Sequence, residues 1–181
     1  MPSDSGPSSS SALLSVSAVL SAASGPWPSH PPALPEDVGS IDAIVRAVYA
    51  SVSFTDGRGP DASRLASLCV PHARLMKVHP GGIDDMSVPE FVDRVRTRID
   101  EQRLTTFVER ELFRRTEVFA GIAHVFTTYE SRTDDRGGQV LYRGINSVQL
   151  RNDGRRWWIL TILWTDERDE CPIPPAYLPR A

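Results

Sequence analysis

Tyr49, Thr127, Tyr129, Asn146 and Thr161 are hydroxyl and amide side chains set among apolar neighbours. If they share one interior face, as argued below, they form hydrogen-bonding groups in an apolar surround, the usual layout of a small-molecule site. Tyr49, Tyr129 and Asn146 would orient or polarise a substrate oxygen. His79 precedes Pro80-Gly81-Gly82, where a loop would border such a pocket. An imidazole titrates near neutral pH, so His79 is the candidate to move a proton. Tyr49 and His79 are therefore the candidate catalytic residues, and Thr127, Tyr129, Asn146 and Thr161 the candidate substrate-binding ones. Buried tyrosines and asparagines also serve as purely structural groups bonded to the backbone, and that alternative stays open here.

Other chemistry-bearing residues read as structural. His124 is expected opposite Glu117 and Arg143 across from Trp164, both on the opposite face, where ion pairing and stacking are the simpler roles. The four histidines have no metal-ligand spacing and there is no glycine-rich phosphate loop. Neither a metal nor a cofactor is expected. Cys69 and Cys171 belong to no CxxC pair. Cys69 ends an apolar helix and reads as a small buried hydrophobe, although a Cys69–Cys171 disulfide stays open.

Composition bounds the classes of function. The 181 residues carry 20 Lys+Arg against 23 Asp+Glu. Asp4, Glu36 and Asp37 are the charged residues of the first forty, which leaves 20 basic and 20 acidic residues for 41–181. That balance gives no basic footprint for nucleic acid. An apolar content of 40% suffices for a core, and no run reaches the roughly 18 apolar residues of a membrane span. Residues 1–39 are rich in Ser and Pro and read as a flexible tail, with the domain at 40–181. The apolar run at 12–23 resembles a weak signal segment but lacks a basic flank. The expected location is therefore cytoplasmic, with secretion as the alternative.

Two periods organise the domain. Ile41, Ile44, Val45, Val48, Tyr49 and Val52 mark one face of a helix with Ser40 as its N-cap. Asp61 caps a short second helix that Pro71 stops, and 73–78 is a short strand. Ser87-Val88-Pro89-Glu90 is a capping box that opens a third helix with Phe91, Val92, Val95 and Ile99 inward. After about residue 106 the period becomes two, giving strands at about 107–119, 122–132, 139–151 and 156–165 joined by short hairpins. The class is α+β. The proline-rich end is expected to pack as an extended segment anchored by Tyr177 and Leu178.

With two-residue turns throughout, side-chain parity carries across the four strands. One face then holds Val108, Leu112, Thr116, Val125, Thr127, Tyr129, Asn146, Val148, Ile159, Thr161 and Leu163. The other holds aromatics with arginines, among them Phe126, Arg143, Trp158 and Trp164. Both faces carry large apolar groups, so the first is expected to meet the helices and the second another subunit, giving a homodimer.

This order of elements, with the segments 65–75 (LASLCVPHARL), 122–132 (IAHVFTTYESR), 143–150 (RGINSVQL) and 156–159 (RWWI), resembles the NTF2-like superfamily, and more closely its SnoaL-like branch. The resemblance implies a cone of three helices on a curved, mainly antiparallel sheet around an apolar pocket. It spans isomerases, polyketide cyclases, epoxide hydrolases, dehydratases and catalytically silent modules, so fold alone does not settle function. Ketosteroid isomerases of the superfamily place a base aspartate on the strand after the second helix. Matching that strand puts Lys77, or its neighbours Met76 and Val78, there, none of them a carboxylate, while Tyr49 sits at a place comparable to their first-helix tyrosine. The Asp-Arg-Asp set of the epoxide hydrolases has no counterpart on the expected inner face. The implied function is binding of a small apolar molecule, with cofactor-free isomerase, lyase, cyclase or hydrolase chemistry by proton transfer on a cyclic substrate. The alternative is a non-catalytic dimerisation or protein-interaction module.

Overall fold

The structure is a computed structural model that describes residues 30–102, 105–134, 136 and 138–180. Residues 1–29 of the tail expected at 1–39, with its apolar run, lie outside the described residues. The elements are α1 (Pro35–Val38), α2 (Ile41–Val52), α3 (Ala62–Leu68), β1 (Cys69–His79), β2 (Gly82–Met86), α4 (Val88–Gln102), β3 (Val108–Phe119), β4 (Ile122–Arg132), β5 (Val140–Asn152), β6 (Trp157–Asp166) and a 3-10 turn (Pro175–Tyr177). One six-stranded sheet runs in the order β2-β1-β6-β5-β4-β3. Only the β1–β6 pair is parallel. Among the described residues no helix is long and apolar enough to cross a membrane.

The helix starts follow from their caps. Ser40 Oγ accepts the Ala43 N–H at 3.1 Å and Asp61 Oδ1 accepts the Arg64 N–H at 2.9 Å. The Ser87 N–H and hydroxyl both donate to Glu90 Oε2, at 2.6 and 2.7 Å. These bonds hold the Glu90 carboxyl below the usual carboxylate range. The apolar stripe of α2, with Ile44, Val45 and Val48, packs on Val125, Val148, Leu150 and Ile159 of the sheet.

Three expectations about the ends change. Packing begins before Ser40: Asp37 is buried in α1 and takes a two-pronged bond from Arg64 of α3, at 2.8 and 2.7 Å. The strand expected at 73–78 runs from Cys69 and turns tightly into β2, pairing His79 with Gly82. The sequence Gly-Ile-Asp-Asp-Met gives β2 no alternation by which to be seen. At the other end Ile173 is buried, Tyr177 lies on Phe126 and Arg115, and its carbonyl accepts the Thr128 hydroxyl at 2.6 Å. The expected Tyr177 anchor is there, within a short 3-10 turn rather than a fully extended run. Cys69 is buried and Cys171 exposed, each as a free thiol.

The face assignment holds across the middle of the meander and fails at two bulges. The β3–β4 register passes from Glu111↔Tyr129 to Phe113↔Thr128, which leaves Leu112 as an extra residue. The β5–β6 register passes from Leu150↔Ile159 to Gln149↔Thr161, which leaves Leu160 as another. An inserted residue turns every side chain beyond it to the other face. Val108 and Leu112 thus yield the interior to Glu109 and Glu111. Thr161 and Leu163 yield it to Ile162 and Trp164. Thr161, expected in the pocket, sits on the outer face opposite Gln149.

Much of the outer face is covered by the chain itself. Trp158 donates to Asp153 at 2.8 Å and carries the Arg156 guanidinium 3.5 Å above its ring. Glu130 is buried between Arg110 and Arg132, at 3.0 and 2.6 Å. Arg143 approaches Glu130 and Glu167 instead of Trp164, which pairs with Asn146. Glu117 does lie opposite His124, as expected. Trp164 and Trp158, two aromatics that suggested a second subunit, are therefore accounted for within the chain.

Two substitutions test this packing. Asp37→Asn removes one partner of a largely buried ion pair and is expected to lower the unfolding free energy by about 1–3 kcal/mol. Urea denaturation checks it, and an unchanged midpoint would mean that α1 is not part of the cooperative unit. Gly144 faces Tyr129 across the β4–β5 ladder. A Cβ there would run into the Tyr129 hydroxyl and the Thr165 carbonyl. Gly144→Ala is expected to cost about 1–3 kcal/mol by overpacking, seen as a lower melting temperature.

Candidate active site

A cavity of about 160 Å³ lies between the helices and the concave face of the sheet. An apolar cavity of about 150 Å³ holds a benzene ring. Most of its wall is apolar: Val48 and Val52 of α2, Leu65 of α3, Leu75 of β1, Phe91 and Val95 of α4, and Ile162 and Trp164 of β6. Lys77, Arg94, Arg98, Glu109, Tyr129, Tyr142, Asn146 and Asp166 supply the polar groups. An open depression of about 520 Å³ adjoins it, sharing Lys77, Arg94 and Arg98 and adding His79, Asp84, Thr97 and Glu101. The shared cations mark the mouth.

Each polar group is placed by backbone pairing. The Leu112 bulge brings in Glu109, and Ser53 at the end of α2 fixes its backbone. Ser53 Oγ accepts the Glu109 N–H at 2.9 Å and donates to the Tyr49 carbonyl at 2.7 Å. The Glu109 carboxyl makes no side-chain hydrogen bond or ion pair among the described residues. Desolvation, with the Asp166 charge adding to it, pushes this carboxyl up to about 8. The Leu160 bulge brings in Asp166, which accepts the Tyr129 hydroxyl at 2.5 Å and pairs with Lys77 Nζ at 2.5 Å. Lys77 also lies 5.6 Å from the centre of the Tyr142 ring. Burial and the Asp166 charge hold the Tyr129 phenol protonated, far above its ordinary range.

Behind the cavity runs a hydrogen-bonded chain with a fixed direction. Thr127 Oγ1 donates to Glu111 Oε1 at 2.6 Å. Its single proton is thereby used, so the 3.0 Å contact with Tyr49 has the tyrosine as donor. The Tyr49 oxygen in turn accepts from Asn146 Nδ2 at 3.2 Å. Glu111 is held by Arg114 at 2.8 Å, and Arg114 by Asp42 at 2.8 Å. The chain fixes the Asn146 amide with one N–H spent inward and its second N–H and its carbonyl oxygen left for other partners.

The six expected site residues therefore separate. Tyr129 and Asn146 line the cavity. Tyr49 and Thr127 stand behind it, around a residual space of about 10 Å³, hydrogen-bonded to each other, with the Tyr49 hydroxyl accepting from Asn146. Burial, chiefly, raises the Tyr49 phenol well beyond its usual range. His79 is at the mouth, 3.6 Å from Asp84, with Nδ1 accepting the Gly81 N–H at 3.2 Å. Thr161 is outside. Glu109, Asp166 and Trp164 were not expected inside, and Lys77 only as an occupant of the isomerase-base position. The sequence does not mark the bulge that turns Glu109 inward: Leu112-Phe113 is an adjacent apolar pair, but so is Val118-Phe119 in the same strand, where the register is regular. Among the described residues the arrangement brings together a carboxyl without a side-chain partner, an amide, a phenol–carboxylate–ammonium set and an apolar wall, groups that can exchange a proton and hold an oxygen.

No family model and no curated protein matches the chain. Solved structures do. A protein of unknown function with a cystatin-like fold from Nostoc punctiforme PCC 73102 is 10% identical, with a TM-score of 0.55 over 71% of this chain and 90% of that one. LinA is 10% identical, with a TM-score of 0.54 over 79% of this chain and 93% of that one. An NTF2-like protein of unknown function from Shewanella baltica OS155 is 10% identical, with a TM-score of 0.50 over 71% and 92%. At such identities the likeness is one of fold. With its six-stranded curved sheet wrapped on helices around a cavity of about 160 Å³, the chain has the NTF2-like fold.

Proposed function

We propose that this domain binds a small cyclic compound and moves a proton on it with Glu109 as the general acid–base. One observation carries the reading: the Glu109 carboxyl faces an apolar cavity with no side-chain partner of its own. Burial raises its affinity for a proton toward neutral pH, where a base is both available and strong. Asp166 is different, because the Tyr129 hydroxyl and the Lys77 ammonium already occupy it. Two carboxyl groups in contrasting surroundings divide the work, one exchanging protons and one organising donors.

The step is a carbon-acid deprotonation. The Glu109 carboxylate takes a proton from a carbon beside a substrate carbonyl, and the C–H electron pair moves into that carbonyl. The oxygen that gains charge accepts hydrogen bonds from the free Asn146 N–H and from the Lys77 ammonium. Return of the proton from Glu109 to another carbon gives an isomer. Expulsion of a leaving group from the neighbouring carbon gives an alkene instead, with the proton kept on Glu109 until solvent removes it. The apolar wall excludes water and strengthens these interactions. His79, at the mouth beside Asp84, is suited to passing the proton to solvent.

Glu109→Gln tests the assignment. A thermal-shift screen of single-ring ketones and lactones identifies a binder, and NMR in D₂O follows exchange of its α-protons. The variant is expected to keep the thermal shift and to lose exchange by about 10²–10⁴-fold. Exchange that survives in Glu109→Gln would overturn the role of Glu109. In the wild type, kcat/KM is expected to rise with pH and level off above about 8.

The same group leaves a signature on stability. Its folded-state affinity for protons exceeds that of the unfolded chain, so the native state binds more protons between the ordinary carboxylate range and about pH 8. Stability therefore falls as pH rises through that window, by at most about 1.4 kcal/mol per pH unit, and becomes flat above it. Glu109→Gln is expected to remove that slope in denaturation curves taken from pH 5 to pH 9.

A further inference from the structure

We infer that the ligand of this cavity is an organic anion, a single small ring bearing a carboxylate, with the ring against the apolar wall and the carboxylate on Arg98 at the mouth. The inference deepens the reading of the cavity as a small-molecule site and rests on it.

Three cations line the cavity, and two have acids of their own. Lys77 Nζ pairs with Asp166 at 2.5 Å and Arg94 with Asp84 at 2.7 Å. Arg98 makes no hydrogen bond or ion pair among the described residues. It stands one turn beyond Arg94 on α4, so both guanidinium groups reach the same side of the helix. It also borders both the cavity and the more open depression that adjoins it. Glu101 borders the depression too, yet lies outside ion-pair distance of Arg98.

Arg98 is thus the cation at the mouth that has no acid in ion-pair contact among the described residues, with Glu101 on the rim of the depression as the remaining acid. An arginine fork suits a carboxylate, which it can hold with two parallel bonds. Nothing inside the cavity opposes an anion at neutral pH: Asp166 is matched by Lys77, and the Glu109 carboxyl stays largely protonated below about 8. The volume of about 160 Å³ limits the apolar part to one ring. The longer substituent must then lie in the depression, where Arg98 is.

Calorimetric titration of the full chain at pH 7 with benzoate and cyclohexanecarboxylate, against benzamide and methyl benzoate, decides the matter. The carboxylates are expected to bind at least tenfold more tightly than the neutral rings. Arg98→Gln, an exposed helix-surface change with circular dichroism as its folding check, is expected to abolish that preference while leaving benzamide affinity unchanged. Added salt should weaken the carboxylates alone. Neutral rings that bind as well as the anions overturn the anion assignment and leave the cavity reading intact. A preference that survives Arg98→Gln overturns the role of Arg98. Absence of binding by all four compounds overturns this inference together with the site on which it rests.

Discussion

A β-strand shows its two faces alternately, so a single extra residue exchanges them for the rest of the strand. The site depends on that constraint twice. Without the bulge at Leu112, Val108 and Leu112 would face the helices and Glu109 would lie in solvent. Without the one at Leu160, Thr161 and Leu163 would replace Ile162, Trp164 and Asp166. The sheet would then be an ordinary apolar floor beneath α2. The bulges turn it into a wall with carboxyl groups on two strands, at the price of a locally broken ladder, and bulges are found beside sites for that reason.

Interior polar groups must be satisfied or neutral. The fold meets that demand in two ways, and the contrast defines the chemistry. Around Tyr49 the polar atoms form a continuous series from one Asn146 N–H to Asp42, each link a donor matched to an acceptor. The Tyr129–Asp166–Lys77 set is matched in the same way. The Glu109 carboxyl has no such partner among the described residues, and desolvation raises its affinity for a proton. A matched network is rigid and costs reorganisation to use, whereas an unmatched carboxyl is free to exchange a proton with whatever enters. Ser53 holds the Glu109 backbone from the end of α2, so the free group is also a positioned one.

The elements themselves were legible. Ser40, Asp61 and the Ser87–Glu90 box mark the helix starts, and the change of period after residue 106 marks the four strands within a residue or two. Tyr129 and Asn146 were legible as cavity residues because they lie between the bulges, where parity holds. Glu109, Asp166, Trp164 and Thr161 lie beyond them, and each was assigned to the wrong face or left unassigned. Counting by twos carries no information about an inserted residue. The run from Trp157 to Trp164 is apolar at nearly every position, so it has no alternation to betray the shift. β2 and α1 were hidden for another reason: each is too short to show a period, and each is held by partners distant in sequence, β1 for one and Arg64 for the other.

Lys77 shows how one position can keep its place in a fold while its chemistry changes. It stands on the strand where the resemblance to ketosteroid isomerases calls for a base, and it is the chain's lone lysine. The parallel pairing of β1 with β6 sets it beside Trp164, two residues from Asp166. A cation stands at that position here, paired with the Asp166 carboxylate of the neighbouring strand. A cation there cannot accept a proton, but it can stabilise an oxygen that gains charge. On the proposed reading the base is the carboxyl of Glu109 on β3, which has no side-chain partner among the described residues. A concave sheet presents several strands to the same small volume, so a donor and a base need not share a strand.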